Sequence, residues 1–310
     1  KMTIYRIGKN SNVINALINA ARNGKNVTVF MELQARFDEE TNIYWSTKLQ
    51  EEGVRVIHSI PGLKVHTKLI SVKRTEGKKS VYYTNIGTGN FNEYTASLYC
   101  DVSIMTADQT IGQETAQVFE MFEASYRSFS FKHLVVSPME MRPFVEGMID
   151  KLTESALRGE EAYAAIKLNN IVDKDIADKI YEAARAGVKF DIICRSACVL
   201  QPINDNLRII SIVGRNLEHS RILYFRCAQW ERVYITSADW MKRNMDRRIE
   251  VMSPVLDKDA AELLKKILAI HLQDNVKARF VNGKKNNTYI RNNDALFNSQ
   301  DEVYKLIKSG

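Results

Sequence analysis

The chain has 310 residues, enough for two domains of ordinary size, and its 45% hydrophobic and 26% charged content is that of a globular protein rather than a disordered one. No run of 18 apolar residues occurs, which excludes a membrane-crossing helix. Lys and Arg outnumber Asp and Glu by 44 to 37, a net +7 that suits a polyanionic partner (nucleotide, nucleic acid, phosphate polymer or anionic lipid) and equally suits plain solubility.

The first residues, Lys1-Met2-Thr3-Ile4-Tyr5, enter a strand pattern directly, without the apolar stretch of a signal peptide. A chain that opens on a lysine inside an element reads as part of something longer. A strand over 3–7 precedes a helix over 11–22, whose apolar residues Val13, Ile14, Leu17 and Ile18 recur at helical spacing. Gly24 stops that helix, and a buried strand follows. Next come a helix over 39–52, strands near 55–60, 68–74 and 80–85, and a closing helix over 111–125. Residues 129–159 read as a helical connector centred on 139–157.

Beyond the connector the chain repeats itself. Ala20-Ala21-Arg22-Asn23-Gly24 through Met31 aligns with Ala183-Ala184-Arg185-Ala186-Gly187 through Cys194, at a constant offset of 163. The helix before the second copy, 172–185, is apolar at Val172, Ile176, Ile180 and Tyr181, and a strand at 164–168 precedes it. The second copy lacks the long helix, continues with strands near 207–213, 221–225 and 232–236, and closes with a helix over 259–271. The expected organisation is therefore α/β: a first domain over 1–128, a connector over 129–160 and a second domain over 161–310, with the active site in the cleft between two related halves.

Of five histidines, two fall at comparable places in the repeat. His66 lies 34 residues after Glu32, and His219 lies 24 after Arg195, the counterpart of Glu32. Each opens an H-x-basic pattern, His66-Thr67-Lys68 and His219-Ser220-Arg221. On a strand, residues i and i+2 share a face, so each imidazole would sit beside a cation. An imidazole supplies a nucleophile, and the cation offsets the charge of a phosphoryl group. A small polar segment follows each pair: Gly87-Thr88-Gly89-Asn90-Phe91-Asn92-Glu93 and Ser237-Ala238-Asp239-Trp240. Backbone N–H groups there are expected to cradle phosphate oxygens. His58, His133 and His271 lack such company and read as structural. Cys194 and Cys198 form C-x3-C without a second pair at zinc spacing, so with Cys100 and Cys227 they read as free thiols of a reducing cytoplasm.

The duplicated H-x-K and G-T-G-N pattern resembles the phospholipase D superfamily, in which one histidine from each half builds a single site. An Asp is expected five residues after the lysine, yet Lys73 stands there, and the second copy has Arg221 for Lys and no matching Asp. These departures, with the segments 32–43, 62–68, 86–93 and 237–244, resemble one branch: the larger, phosphohistidine-forming polyphosphate kinases. The similarity spans essentially the whole chain and corresponds to the carboxy-terminal half of that family.

The resemblance implies two tandem phospholipase D-like domains, with His66 as the phosphorylated nucleophile and Tyr99, Arg195 and His219 as nucleotide contacts. It places Arg6 and Arg36 at a phosphate and magnesium site. Arginine has no lone pair, so Mg²⁺ is expected to ride on ATP or ADP while the arginines grip phosphate. Lys68 and Arg221 would neutralise charge, Gly87, Thr88, Gly89 and Asn90 would form the phosphate loop, and His219 would donate a proton or hydrogen bond to the leaving oxygen. The implied partners are ATP or ADP and inorganic polyphosphate, with no nucleic acid. The implied setting is cytoplasmic, at most peripheral to a membrane, with the full-length enzyme a homo-oligomer. The competing readings are a phosphodiesterase cutting lipid or nucleic acid, and a fragment that binds nucleotide or polyphosphate without turnover because amino-terminal domains are missing.

Overall fold

The computed structural model describes every residue except 9, 34–38, 59, 61, 125, 284–286 and 310. The first half runs β1 (Met2–Ile4), α1 (Asn12–Arg22), β2 (Thr28–Met31), α2 (Glu39–Glu51), β3 (Arg55–Ile57), β4 (Lys64–Val65), β5 (Leu69–Glu76), β6 (Lys79–Gly87), α3 (Glu93–Leu98), β7 (Tyr99–Cys100), β8 (Ser103–Thr106) and α4 (Gln109–Glu123). Between the halves lie β9 (Val135–Val136) and α5 (Met141–Leu157). The second half opens with β10 (Ala162–Leu168), α6 (Lys174–Ala186), β11 (Lys189–Cys194), β12 (Leu207–Ile212), β13 (Leu217–Glu218), β14 (Ile222–Cys227) and β15 (Trp230–Thr236). It closes with α7 (Lys242–Asp246), β16 (Arg248–Ile249), β17 (Val251–Pro254), α8 (Lys258–Leu272), β18 (Ala278–Phe280) and α9 (Ser299–Ser309).

The internal repeat is visible in the sheets. One has the order β3-β2-β1-β5-β6-β8, and the other contains β12-β11-β10-β14-β15-β17, flanked by β18 and β9. In each, the first three strands are parallel and the rest antiparallel. Local chemistry starts the matching helices alike: Ser11 caps α1 and Asp173 caps α6, each side chain accepting from the N–H three residues on. Gly187, at φ 111°, ends α6 in the left-handed region that a side chain would resist.

Two short parallel ladders stitch the halves together. β4 pairs with β16, Val65 opposite Ile249, and β7 pairs with β13, Cys100 opposite Glu218. Apolar packing crosses the same seam: Phe30, Val65 and Leu69 of the first half share a buried cluster with Ile249 and Val251 of the second and with Leu134 and Val136 between them. The halves therefore have no independent cores at the seam. No helix among the described residues is long and apolar enough to cross a membrane.

Two expectations about local structure change. The first strand ends at Ile4 rather than residue 7, and neither H-x-basic pair lies on a strand. His66 to Lys68 link β4 to β5, and His219 to Arg221 link β13 to β14. Both short strands stop because their partner from the other half ends there, and the histidines occupy the exits.

Candidate active site

His66 is fixed from three directions. Its backbone N–H donates to the Ile249 carbonyl at 2.9 Å, extending the β4–β16 ladder by one bond. Its ring Nδ1 lies 2.9 and 3.0 Å from the two carboxylate oxygens of Glu250, a fully buried residue of the second half. The Tyr5 ring meets the imidazole edge-on at 4.9 Å. Lys68, also buried, turns its ammonium onto the His66 carbonyl and over the Tyr5 ring.

His219 repeats the arrangement with the halves exchanged. Its N–H donates to the Cys100 carbonyl at 3.1 Å, and Nδ1 lies 2.8 and 2.9 Å from the carboxylate of Asp101, a first-half residue. Arg221 donates from Nη1 to the Thr88 and His219 carbonyls at 3.1 Å, faces His219 Nε2 at 3.3 Å, and donates from Nε to Asp239 at 3.2 Å. Asn169 joins the remaining parts: it donates to the His219 carbonyl and accepts from Arg195 Nε at 3.0 Å. The Tyr99 ring lies 5.2 Å from the His219 ring, half-buried rather than packed in a core.

Burial dominates the electrostatics. It drives the His66 imidazole well below its ordinary pKa, with Lys68, Arg248 and Arg221 pushing the same way. Burial lowers His219 too, against the pull of Asp101. The Lys68 ammonium is pushed down to about 7 and the Glu250 carboxyl up to about 7, both by loss of water. Asp101 stays below the usual carboxylate range because hydrogen bonds from His219 and Thr88 outweigh its burial. An ionised carboxylate only accepts, so Asp101 keeps the His219 proton on Nδ1. Lys68 and Arg221 each bear on both histidines, so the two imidazoles share one electrostatic environment.

The predicted phosphate loop is only partly available. Gly87 N–H is spent on the Lys68 carbonyl and Thr88 N–H on the Val102 carbonyl, both at 2.9 Å. Gly89 keeps its backbone close to Asp101, where a Cβ would stand 2.2 Å from Oδ2. The second-half segment is no cradle, since the N–H groups of Ser237, Ala238, Asp239 and Trp240 all have protein acceptors. Its hydroxyl and carboxylate serve the site instead: Ser237 donates to Glu250 at 2.5 Å, and Asp239 holds Arg221. Two buried polar atoms nearby, Thr67 Oγ1 beside His66 and Asn244 Nδ2 in α7, have no hydrogen-bond partner among the described residues.

Arg6 lies at the β1 exit beside Tyr5, while Arg36 falls outside the described residues. His58 bonds Ser46 at 2.6 Å, and His271 is buried on Glu218, away from the reacting centre. Sequence reasoning missed Glu250, Asp101 and Asn169. A signal existed for the carboxylates: Thr88 donates to Asp101 and Ser237 to Glu250, each across a separation of 13 residues.

Residues 1–128 match the family described as polyphosphate kinase C-terminal domain 1, and residues 134–300 match polyphosphate kinase C-terminal domain 2. Over 314 aligned residues the chain is 47% identical to a polyphosphate kinase of Klebsiella pneumoniae and 46% identical to one of Escherichia coli strain K12. Each alignment takes in 100% of this chain and 46% of the relative, so the chain spans about half the length of the curated relatives it matches. A crystal structure of polyphosphate kinase from Porphyromonas gingivalis superposes with a TM-score of 0.91 at 37% identity, covering 99% of this chain and 48% of that one. A yeast tyrosyl-DNA phosphodiesterase shares the fold alone, with a TM-score of 0.50 at 11% identity over 82% of this chain and 83% of its own.

Proposed function

The chain belongs to the polyphosphate kinase family, through the two C-terminal domains of that family, and on that premise we propose that it carries a phosphohistidine centre moving the γ-phosphoryl group of MgATP reversibly to the end of inorganic polyphosphate. The observation that carries the reading is the His66 imidazole. Its Nδ1 is engaged by Glu250 while burial and neighbouring cations keep the ring neutral. A neutral ring whose Nδ1–H is held by a carboxylate has its lone pair on Nε2, which makes Nε2 the attacking atom.

In the forward direction Nε2 bonds to the γ-phosphorus as the bond to the β-phosphate oxygen breaks and ADP leaves. A terminal polyphosphate oxygen then takes the phosphoryl group, and Nε2 recovers its lone pair. Little covalent chemistry is asked of the protein beyond positioning and charge neutralisation. Lys68, Arg221, Arg248 and Arg195 supply the charge, with Arg6 and Arg36 as further phosphate contacts. His219, facing Arg221 through Nε2, suits a phosphate contact, and it donates a proton to the leaving oxygen only from its doubly protonated form, since Asp101 holds the single proton of the neutral ring on Nδ1. Tyr99 and Arg195 flank it as the nucleotide side.

Among the described residues no group of three His, Cys, Asp or Glu side chains could hold a metal. On this reading magnesium travels with the nucleotide as part of the substrate, near Arg6 and Arg36. The reading also carries a cytoplasmic or membrane-peripheral location, homo-oligomerisation and no nucleic-acid partner. The test is incubation of the full-length protein with γ-labelled ATP and Mg²⁺. Acid-labile, base-stable label is expected in the wild type and not in His66→Ala; label that persists in the variant would remove His66 from the role.

A further inference from the structure

Glu250 can orient His66 only if its backbone is held, and the residue that holds it belongs to neither histidine segment. The Ser137 N–H donates to the Glu250 carbonyl at 3.1 Å, and its hydroxyl accepts from the Glu250 N–H at 3.3 Å. The same Oγ lies 2.8 Å from the Asn244 carbonyl and 2.5 Å from the Arg248 carbonyl. One fully buried serine therefore closes the turn from α7 through β16 that delivers Arg248 and Glu250 to the site.

The connector around Ser137 is anchored on both halves. Glu114 of α4 accepts the N–H groups of Lys132, His133 and Leu134 at 2.7 to 3.0 Å. β9 adds to the edge of the second sheet, Val136 opposite Val251 and Val135 opposite Met252. Its two side chains point to different cores, Val135 into that of the second half and Val136 into the shared cluster under Val65. At the second residue of α5, Arg142 makes a bidentate bond to Asp246 at 2.8 and 2.9 Å while also holding Asp173. Asp246 ends α7, so Arg142 grips the start of the turn that Ser137 closes.

We infer that the connector is part of the catalytic apparatus, with Ser137 and Arg142 as positioning residues that set the Glu250 carboxylate on His66. The inference rests on the phosphohistidine reading for its kinetic consequences but not for its geometry. Neither residue lies among the groups assigned to nucleotide binding, so the effect falls on the chemical step. A displacement of about 1 Å at a reacting group costs on the order of a hundredfold.

The experiment compares wild type, Ser137→Ala and Ser137→Thr in the full-length protein. It measures the rate of His66 phosphorylation at saturating MgATP, the affinity for a non-hydrolysable ATP analogue, and Tm. Ser137→Ala is expected to phosphorylate roughly 10- to 100-fold more slowly with analogue affinity within about twofold. Ser137→Thr, which keeps the hydroxyl, is expected to recover most of the rate. A lowered Tm with an unchanged rate overturns the inference, and so does a parallel loss of rate and affinity. If Ser137→Ala does not fold, Arg142→Met, which frees the other end of the turn, is read by the same split. If the wild type forms no phosphohistidine, the kinase reading fails by itself. The ¹⁵N-detected Nδ1–H signal of His66 then decides: its shift in Ser137→Ala supports the connector's role, and an unmoved signal overturns it.

Discussion

Glu250 and His66 come from opposite halves of the chain, 184 residues apart, and meet at 2.9 to 3.0 Å. Asp101 and His219 form the reciprocal pair at 2.8 Å. Each half thus supplies the carboxylate that orients the other half's imidazole, and the backbone ladders β4–β16 and β7–β13 bring the partners into line. Neither half holds its histidine's carboxylate alone, so each imidazole is oriented only where the two halves meet.

Replacing Glu250 by Gln tests the first pair. The amide occupies the same volume but can donate to Nδ1, which shifts the ring proton to Nε2 and hides the attacking lone pair. Loss of a carboxylate that fixes a tautomer costs about 10²- to 10⁴-fold. Rapid-quench measurement of phosphohistidine formation should show a fall in that range with ATP-analogue affinity nearly unchanged. A rate within threefold of wild type would mean that the Glu250 charge does not fix the tautomer.

The second pair is tested through a glycine. A Cβ on Gly89 would overlap the Asp101 carboxylate, with Oδ2 at 2.2 Å and Cγ at 2.4 Å. Gly89→Ala should therefore mimic Asp101→Asn by pushing the carboxylate off His219. Both single variants should lower turnover, and the double variant should fall little below the worse single, since residues acting through one contact are non-additive. Strict additivity in the cycle would show that Gly89 serves something other than Asp101.

Much of this was legible in the sequence, and the limits follow from physics. The βαβ repeat at offset 163 reads directly because helix caps and apolar periods are local, and both sheets carry it. His66, Lys68, His219 and Arg221 stood out by spacing within three residues. Glu250 and Asp101 did not, because their partners are set by inter-half ladders of two residues each, too short to leave a periodic trace. The phosphate-loop expectation treated small residues as free N–H donors; in the fold, Gly87 and Thr88 spend theirs on backbone carbonyls. Ser137 sits in a stretch that reads as a linker, and only the tertiary structure shows what its hydroxyl touches.

Behind His219 lies a buried ionic cluster with a stability signature. Glu218 takes Lys167 at 3.0 Å, His271 at 3.1 Å and Gln300 at 2.7 Å, and these bonds hold its carboxyl far below the usual range despite burial. A depressed carboxyl contributes stability that is present above its unfolded pKa, near 4.3, and is lost as pH falls through the folded value. Glu218→Gln leaves Lys167 buried beside a neutral amide, which costs about 3–5 kcal/mol. Urea unfolding should show that deficit at pH 7 and a narrower one below pH 4. A gap independent of pH would assign the loss to packing instead.

The last prediction concerns activity against pH. Under the phosphohistidine reading, phosphorylation needs Glu250 ionised to hold Nδ1–H and Lys68 protonated to offset phosphate charge, and burial brings both groups to about 7. Glu250, raised from its ordinary value, gives a rising limb as pH increases; Lys68, lowered from its ordinary value, gives a falling limb. His66 lies well below its normal range and is neutral throughout. The kcat/KM profile, which reports the free enzyme, should be a narrow bell near neutrality whose two apparent values belong to the Lys68–Glu250 pair jointly. Lys68→Arg replaces the titrating cation by one that stays charged. Its maximum should be lower, since the fork does not retrace the ammonium's contact with the His66 carbonyl, but its alkaline limb should move up by more than one pH unit. An alkaline limb that stays in place would assign the deprotonation to another group and leave Lys68 a structural cation beneath Tyr5.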